Sequence, residues 1–116
     1  MLENAKSLGL EEKVVPMCKK IRDVGNVDAD LVLCNPPWGK QKQGADSNFI
    51  ESIKSLCLPT YILHSSSAKH LEAEFLRSSW HVQKLLSSPF DLGAIYPHHT
   101  KRRMSTDATL WRLTPP

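Results

Sequence analysis

The clearest candidate for chemistry in this sequence is the tetrapeptide Asn35-Pro36-Pro37-Trp38. Each proline fixes φ at about −65° and lacks an N–H donor, and a residue that precedes a proline is held in an extended conformation. The side-chain oxygen of Asn35 and the carbonyl oxygen of Pro36 can then converge on a planar amine and accept one hydrogen each. The indole of Trp38 offers a flat face on which a ring can stack. The tetrapeptide therefore predicts a stiff loop that holds the exocyclic amine of a base.

An amine held in this way is prepared for attack on an electrophilic methyl group. An amine attached to an aromatic ring is a poor nucleophile, because its lone pair is delocalised into the ring. Two acceptors that favour a pyramidal nitrogen expose this lone pair, and positioning of the reactants then supplies much of the rate. The alternative is a turn that merely ends a strand, with Trp38 half-buried in the core. The apolar segment before the loop and Gly39 after it favour the chemical interpretation.

The apolar pattern predicts which elements position this loop. Residues 30–34 form a segment that is continuously apolar after Asp30, which is typical of a buried strand, and this segment ends at the loop. Apolar residues recur at helical spacing from Phe49 to Leu56, which predicts a helix, and residues 59–64 predict a second buried strand. A further helix is predicted from Ala68 to Phe75, with the serines of residues 65–67 as its cap.

The two ends of the chain add four elements to this pattern. Residues 3–9 predict a helix that stops at Gly9, and residues 13–18 predict a short exposed strand. Residues 82–86 and 109–113 predict an antiparallel pair that closes a sheet. Between them lie residues 89–93 and the polar loop 98–106. Strands alternating with helices predict an open α/β sheet, in which ligands bind at the carboxyl ends of the strands.

The composition bounds the size and the partners of this domain. The chain has 116 residues, of which 41% are apolar and 23% charged, and this fits one globular domain. Residues 1–58 hold eight basic and eight acidic side chains, whereas residues 59–116 hold seven basic and four acidic ones. A polyanion would therefore meet the second half of the chain. The sequence contains no apolar run of membrane-spanning length and no secretion signal, so an intracellular protein, cytoplasmic or nuclear, is expected.

The patterns of cysteine and histidine do not predict a metal centre. The three cysteines lie far apart and form no CxxC pair, so neither a disulfide framework nor a zinc cluster is indicated. His64, His70 and His81 are scattered over separate predicted elements, and no two of them are expected to share a face with a third donor. The sequence therefore predicts no bound metal.

Four segments together resemble a known family. They are residues 30–39, which contain the tetrapeptide; Gly44-Ala45-Asp46; Tyr61-Ile62-Leu63-His64-Ser65-Ser66-Ser67; and Asp91-Leu92-Gly93-Ala94-Ile95-Tyr96 followed by His99, Lys101 and Arg102. In order and spacing they look like the methyltransferase-like protein 5 family, whose members use S-adenosylmethionine to make N6-methyladenosine in small-subunit ribosomal RNA. The resemblance covers roughly residues 3–114 and implies a Rossmann-like methyltransferase sheet.

The resemblance also implies roles for particular residues and partners. Asn35, Pro36, Pro37 and Trp38 would form the catalytic, base-holding loop, with Trp38 where the family usually has phenylalanine. The basic segment that would bind RNA consists of His98, His99, Lys101, Arg102 and Arg103. By charge alone this segment could neutralise several phosphates, although a solvated hairpin loop is the alternative. A small zinc-binding activator subunit is the implied protein partner.

The sequence departs from the family where the cofactor should bind. None of its five glycines forms the G-x-G turn that holds the methionine part of the cofactor, so the cofactor-binding residues are unknown, with Asn35 as a candidate. Lys19 stands where the family usually has the aspartate that reads the adenine of the cofactor. Residues 1–116 are therefore expected to be one partial domain, truncated before the third strand and holding the third to seventh. This leaves residues 30–34 as an open sheet edge, and the chain alone is expected to be inactive.

Two other functions stay open. A glutamine-N5 protein methyltransferase holds a side-chain amide in an Asn-Pro-Pro-Tyr loop by the same geometry, although the basic segment weighs against it. A non-catalytic remnant that binds RNA or a protein partner would explain the missing glycine turn.

Overall fold

Apolar residues at helical and alternating spacing form the helices and strands that surround the predicted loop. The computed structural model describes residues 1–38, 44–91 and 105–116. Its helices and strands are α1 (Leu2–Ser7), β1 (Val32–Cys34), α2 (Ser47–Leu56), β2 (Thr60–Ser65), α3 (Lys69–Arg77), β3 (His81–Asp91) and β4 (Ser105–Thr114). Glu11–Lys13 and Ile21–Asp23 form single 3₁₀ turns. Among the described residues, no helix is long and apolar enough to cross a membrane.

The strands form one mixed sheet in the order β1-β2-β4-β3. β1 and β2 are parallel, with Leu33 opposite Tyr61, so the loop after β1 and the end of β2 lie at the same edge of the sheet. β4 pairs antiparallel with both β2 and β3. The predicted α/β sheet and its antiparallel closing pair are thus confirmed, and among the described residues β1 is the open edge that was expected.

Burial of β1 is the part of that prediction that was wrong. Leu33 is 76% exposed and Leu31, just before the strand, is 45% exposed. Val32 and Cys34 are half-buried against the core, whereas Leu33, between them, points to the opposite face of the sheet on a strand that is paired on one side only.

The core lies between the sheet and the helices α2 and α3. Ile50 and Ile53 of α2, and Leu71 and Phe75 of α3, are buried in one cluster with Ile62 of β2. Trp80, Trp111 and Leu113 complete its large side chains. Burying each such side chain stabilises the fold by roughly 1.5–3 kcal/mol. This packing fixes where α2 and α3 begin relative to the end of β2.

Two local predictions fail for identifiable reasons. Residues 13–18 form no strand; Pro16 lacks an N–H, and no neighbouring strand pairs with this segment in the described part of the chain. The serines of residues 65–67 do not cap α3, whose N-cap is Ala68, with no side-chain hydrogen bond. The hydroxyls of Ser65 and Ser67 bond to each other instead, at 2.8 Å.

The closing hairpin is longer than predicted. β3 and β4 extend beyond residues 82–86 and 109–113, and Pro89 to Asp91, expected to separate the strands, belong to β3. A register shift lies between Lys84 and Leu86. Most of the predicted loop 98–106 lies outside the described residues.

Candidate functional site

The predicted loop lies directly at the carboxyl end of β1. Asn35 is exposed, Pro36 is buried, Pro37 is exposed and Trp38 is half-buried. The polar side chain of Asn35 is therefore accessible to a solute rather than packed in the core. The roles assigned to the four residues stay predictions.

A cavity of about 630 Å³ opens beside this loop, and Trp38 is the loop residue that lines it. The other walls come from the start of α2 and the loop before it, from the end of β2 and the loop after it, and from α3. They include Asp46, His64, His70 and the carboxylates of Glu51 and Glu74. An aromatic face next to acidic groups suits a flat, neutral or positively charged group better than a phosphate.

One buried carboxylate organises the floor of this cavity. Asp46 is 3% exposed, and its Oδ2 lies 2.8 Å from His64 Nε2 and 2.7 Å from His70 Nε2. Burial raises the pKa of Asp46, but its interactions with His70 and His64 together outweigh burial, so the pKa lies below its ordinary value. Asp46 is therefore an ionised acceptor at neutral pH. We call these three residues the Asp46 cluster.

Hydrogen bonding assigns the tautomer of His64. The backbone N–H of Ser65 donates to His64 Nδ1 at 2.7 Å, so this nitrogen carries a lone pair rather than a proton. The proton of the neutral ring is then on Nε2, which donates to Asp46. With Nδ1 accepting from Ser65 and Nε2 donating to Asp46, the buried ring of His64 is held between two fixed partners.

The prediction that no two histidines share a third donor was wrong. The donor atoms of Asp46, His64 and His70 lie within 4.8 Å of one another, close enough to surround a metal ion. The observed geometry is nevertheless that of hydrogen bonds, because His64 Nε2 carries the proton that a metal ion would have to replace.

The Asp46 cluster also orients the indole of the predicted loop. The rings of Trp38 and His64 are stacked, with centroids 6.2 Å apart and an angle of 14° between their planes. Such offset contacts between aromatic rings are favourable. Asp46 thus fixes His64, and His64 supports one side of Trp38.

The sequence predicts the loop and misses this cluster. Asp46 and His64 both occur in the segments that carry the resemblance, but neither was assigned a role. The available signal was that polar side chains follow two adjacent parallel strands, whose carboxyl ends meet at one edge.

The predicted RNA-binding residues lie outside the described residues, so that assignment stays a prediction; they are His98, His99, Lys101, Arg102 and Arg103.

Comparisons with known proteins address the fold. No protein-family profile matches the chain. The putative RNA methyltransferase PH1948 from Pyrococcus horikoshii superposes with a TM-score of 0.78 at 19% identity, over 98% of this chain and 56% of that one. The chain shares the fold of that neighbour, and its own part of it is a mixed, Rossmann-like α/β sheet. A protein of Thermoplasma acidophilum superposes with a TM-score of 0.69, also at 19% identity, over 95% of this chain and 61% of that one.

A relative found by sequence matches this chain over a similar share of its own length. The uncharacterized protein MJ0284 of Methanocaldococcus jannaschii is 29% identical over 123 aligned residues, which cover 96% of this chain and 55% of that protein. The chain thus spans little more than half the length of the proteins it matches.

Proposed function

We propose that the protein is an S-adenosylmethionine-dependent methyltransferase that modifies the N6 amine of an adenine in small-subunit ribosomal RNA. The observation that carries this proposal is the exposed Asn35 at the carboxyl end of β1, in a methyltransferase fold, beside a cavity lined by Trp38. The target is proposed from the family resemblance, and the Pyrococcus neighbour described as a putative RNA methyltransferase supports RNA as the substrate class.

The described residues supply the acceptor half of such a reaction. Asn35 Oδ1 and the carbonyl oxygen of Pro36 would accept the two hydrogens of the amine, while Trp38 stacks on the base. These contacts would hold the nitrogen with its lone pair exposed, and Pro37 would keep the loop from relaxing. Catalysis on this side is positioning rather than bond-making by the protein.

The described residues do not fit the cofactor half. Gly9, Gly25 and Gly44 have positive φ values, but a Cβ added at any of them would meet no atom within 4 Å, so none is a close-approach position. The sequence also has no G-x-G turn, and residues 13–18 form no strand beside β1. The described residues therefore do not account for binding of the methyl donor.

Cofactor binding and methyl transfer test the proposal together. Heat exchange with a micromolar affinity on titration of S-adenosylmethionine into the purified protein, together with a tritiated methyl group in an adenine-containing RNA, would support the proposal and overturn the expectation that the chain alone is inactive. Asn35→Ala should abolish transfer but leave RNA affinity within a few-fold, because Asn35 is proposed to position the amine rather than to supply binding energy. Asn26→Ala, at another exposed asparagine, is the matched control and should transfer normally.

Other outcomes identify the alternatives. No heat of S-adenosylmethionine binding, together with salt-dependent RNA binding, would identify a non-catalytic RNA-binding protein. The missing glycine turn favours this alternative. Transfer to a glutamine-containing peptide instead of RNA would identify a protein methyltransferase. A large loss of RNA affinity in Asn35→Ala would contradict the role given to this residue.

RNA binding is proposed to depend on the basic segment near the closing hairpin. Changing Lys101, Arg102 and Arg103 to alanine should weaken RNA binding and reduce the slope of log affinity against log salt by about 2, since each phosphate contact contributes about 0.7. An unchanged salt slope would exclude this segment from the interface.

A small zinc-binding activator subunit is proposed as a partner on the resemblance alone, and co-purification of a heterodimer would test it.

A further inference from the structure

One face of the sheet presents a row of apolar side chains. Helices α2 and α3 pack on the other face, which holds the buried Ile62 of β2 and Trp111 of β4. Because side chains alternate along a strand, the residues next to these two point away from the helices. They line up across the sheet, with Leu63 opposite Leu110 and Leu110 opposite Leu86. We call this the outer face; its apolar members are Leu33, Tyr61, Leu63, Leu86 and Leu110.

The described residues leave the outer face largely uncovered. Leu33 is 76% exposed and Leu86 is 55% exposed, while the three members on the central strands are half-buried. Helix α1 gives little cover, since Ala5 is its one buried residue and both Leu2 and the following Leu8 are exposed. A sheet with parallel strands is ordinarily covered on both faces. An apolar face of this kind is therefore expected to meet further polypeptide.

The open edge of β1 is continuous with the outer face. The N–H of Val32 donates to the carbonyl oxygen of Pro59 at 2.9 Å, on the side where β2 lies. Successive N–H groups of a strand point in opposite directions, so the N–H and C=O of Leu33 point to the open side. Among the described residues no strand pairs with them. Leu33 thus offers its backbone to an added strand and its side chain to whatever covers the outer face.

The structural neighbours indicate what kind of polypeptide belongs there. PH1948 superposes on 98% of this chain, yet this chain covers only 56% of PH1948. The rest of that chain therefore has no counterpart in residues 1–116. The same is true of the Thermoplasma protein, of which 61% is covered. Open α/β sheets carry helices on both faces, so the unmatched part is a source of a helix for the outer face and of a strand for β1.

Charge favours such a segment over a second copy of this chain. The described strand residues of the outer face include the cation of Arg112, which lies opposite Tyr61, and no carboxylate. The guanidinium of Arg112 donates to Gln83 Oε1 at 2.7 Å, a neutral partner. Two copies packed through this face would bring two such cations to the interface without an acid, whereas a foreign segment can place a carboxylate there. Pairing through β1 alone would join strands of three residues each.

We propose that the outer face and the open edge of β1 form a docking surface for the rest of a methyltransferase domain, supplied by polypeptide outside residues 1–116. This polypeptide adds a strand beside Leu33, lays an apolar helix on the outer face and turns an acidic side chain toward Arg112. The inference goes beyond the proposed function, because it depends on the fold and on no step of the reaction.

The parts of MJ0284 and PH1948 that this chain does not match serve as probes, each co-expressed with this chain as a separate polypeptide. A probe is used once it binds the remaining part of its own protein. Size-exclusion chromatography with light scattering should show a one-to-one heterodimer, and amide exchange followed by NMR should slow at Leu33. Leu86→Lys should weaken binding by about 30-fold or more, as loss of a central contact does.

A matched control is Leu76→Lys, which should leave the affinity unchanged. Leu76 is 57% exposed, close to the 55% of Leu86, but lies on α3, across the sheet from the outer face. Both substitutions change side chains that are already exposed, so both variants should unfold at the urea midpoint of the parent protein. Equal losses of affinity in the two variants would overturn the inference.

The remaining outcomes separate this inference from its rivals. Failure of both probes to bind would overturn it. A stable homodimer that Leu86→Lys dissociates and Leu76→Lys does not would identify a second copy as the occupant and overturn it as well. Methyl transfer by this chain without a partner would support the proposed function and overturn this inference. A heterodimer that transfers no methyl group would support this inference and count against the proposed function.

Discussion

Replacing Asp46 with alanine should destabilise the fold by about 3 kcal/mol, a value worked from its two hydrogen bonds. His64 has a side chain only 2% exposed, so loss of its acceptor leaves a buried N–H unpaired, at a cost of roughly 1–3 kcal/mol. His70 is half exposed and can bond to water instead, which limits its contribution to about 1 kcal/mol or less. Asp46→Asn retains one acceptor oxygen without the charge and should lose about half as much.

Equilibrium unfolding in urea, followed by tryptophan fluorescence, measures these differences. Glu51→Ala is the control, because Glu51 lines the same cavity but is exposed, and its loss should change the free energy of unfolding by no more than about 0.5 kcal/mol. If Asp46→Ala is no less stable than Glu51→Ala, the two hydrogen bonds do not hold the cluster together, and the reasoning about its geometry is refuted.

Three further expectations follow from burial and charge. The pKa of Asp46 in the folded protein lies below its ordinary value of 3.8, so its ionised form stabilises the fold fully above pH 3.8 and progressively less below it. The urea midpoints of the parent protein and of Asp46→Asn should therefore converge as the pH falls. A difference between the two midpoints that does not change with pH would contradict this linkage. Replacing the fully buried Phe75 with alanine should lower the free energy of unfolding in urea by about 4 kcal/mol, and replacing it with leucine should lower it by less than half as much. Equal losses would show that packing volume does not decide the effect. Burial raises the pKa of the Cys34 thiol to about 11, so iodoacetamide at mildly alkaline pH should alkylate the exposed Cys18 and Cys57 before Cys34. Peptide mass spectrometry follows the three alkylation rates, and equal rates for all three cysteines would contradict this expectation.

The helices around the site were predictable because their burial is encoded locally. Residues spaced three or four apart in α2 and α3 are the ones that reach the core: Ile50 and Ile53 in one helix, Leu71 and Phe75 in the other. Each helix buries its apolar face against the sheet whatever strand lies beneath it, so the pattern alone was enough.

Strands depend on neighbours that the local pattern does not specify. Residues 13–18 have an apolar composition typical of a strand, yet no strand lies beside them in the described part of the chain, and they form none. Leu33 belongs to a correctly predicted strand, but its exposure depends on the absence of a second partner for β1 among the described residues. The open edge itself could be anticipated only from the family's strand order.

The site was half predictable for a related reason. Asn35 to Trp38 are consecutive in the sequence, so the stiffness and the chemistry of this loop can be inferred from the tetrapeptide itself. The Asp46 cluster joins residues 18 and 24 positions apart, on a loop, a strand end and a helix, and only the parallel pairing of β1 with β2 brings the ends of these elements to one place. Because the spacing carries no recognisable period, the contact emerged only with the fold.

The open side of β1 also has a directional property. Two copies of this chain related by a twofold axis normal to the sheet would join there with their edge strands running in opposite directions, whereas β1 takes β2 in the same direction on its other side. A different polypeptide has no such symmetry to obey and can add a strand in either sense. A parallel ladder found on that side would therefore indicate a strand from a different polypeptide, whereas an antiparallel ladder would fit either partner, and Leu33→Lys would discourage both.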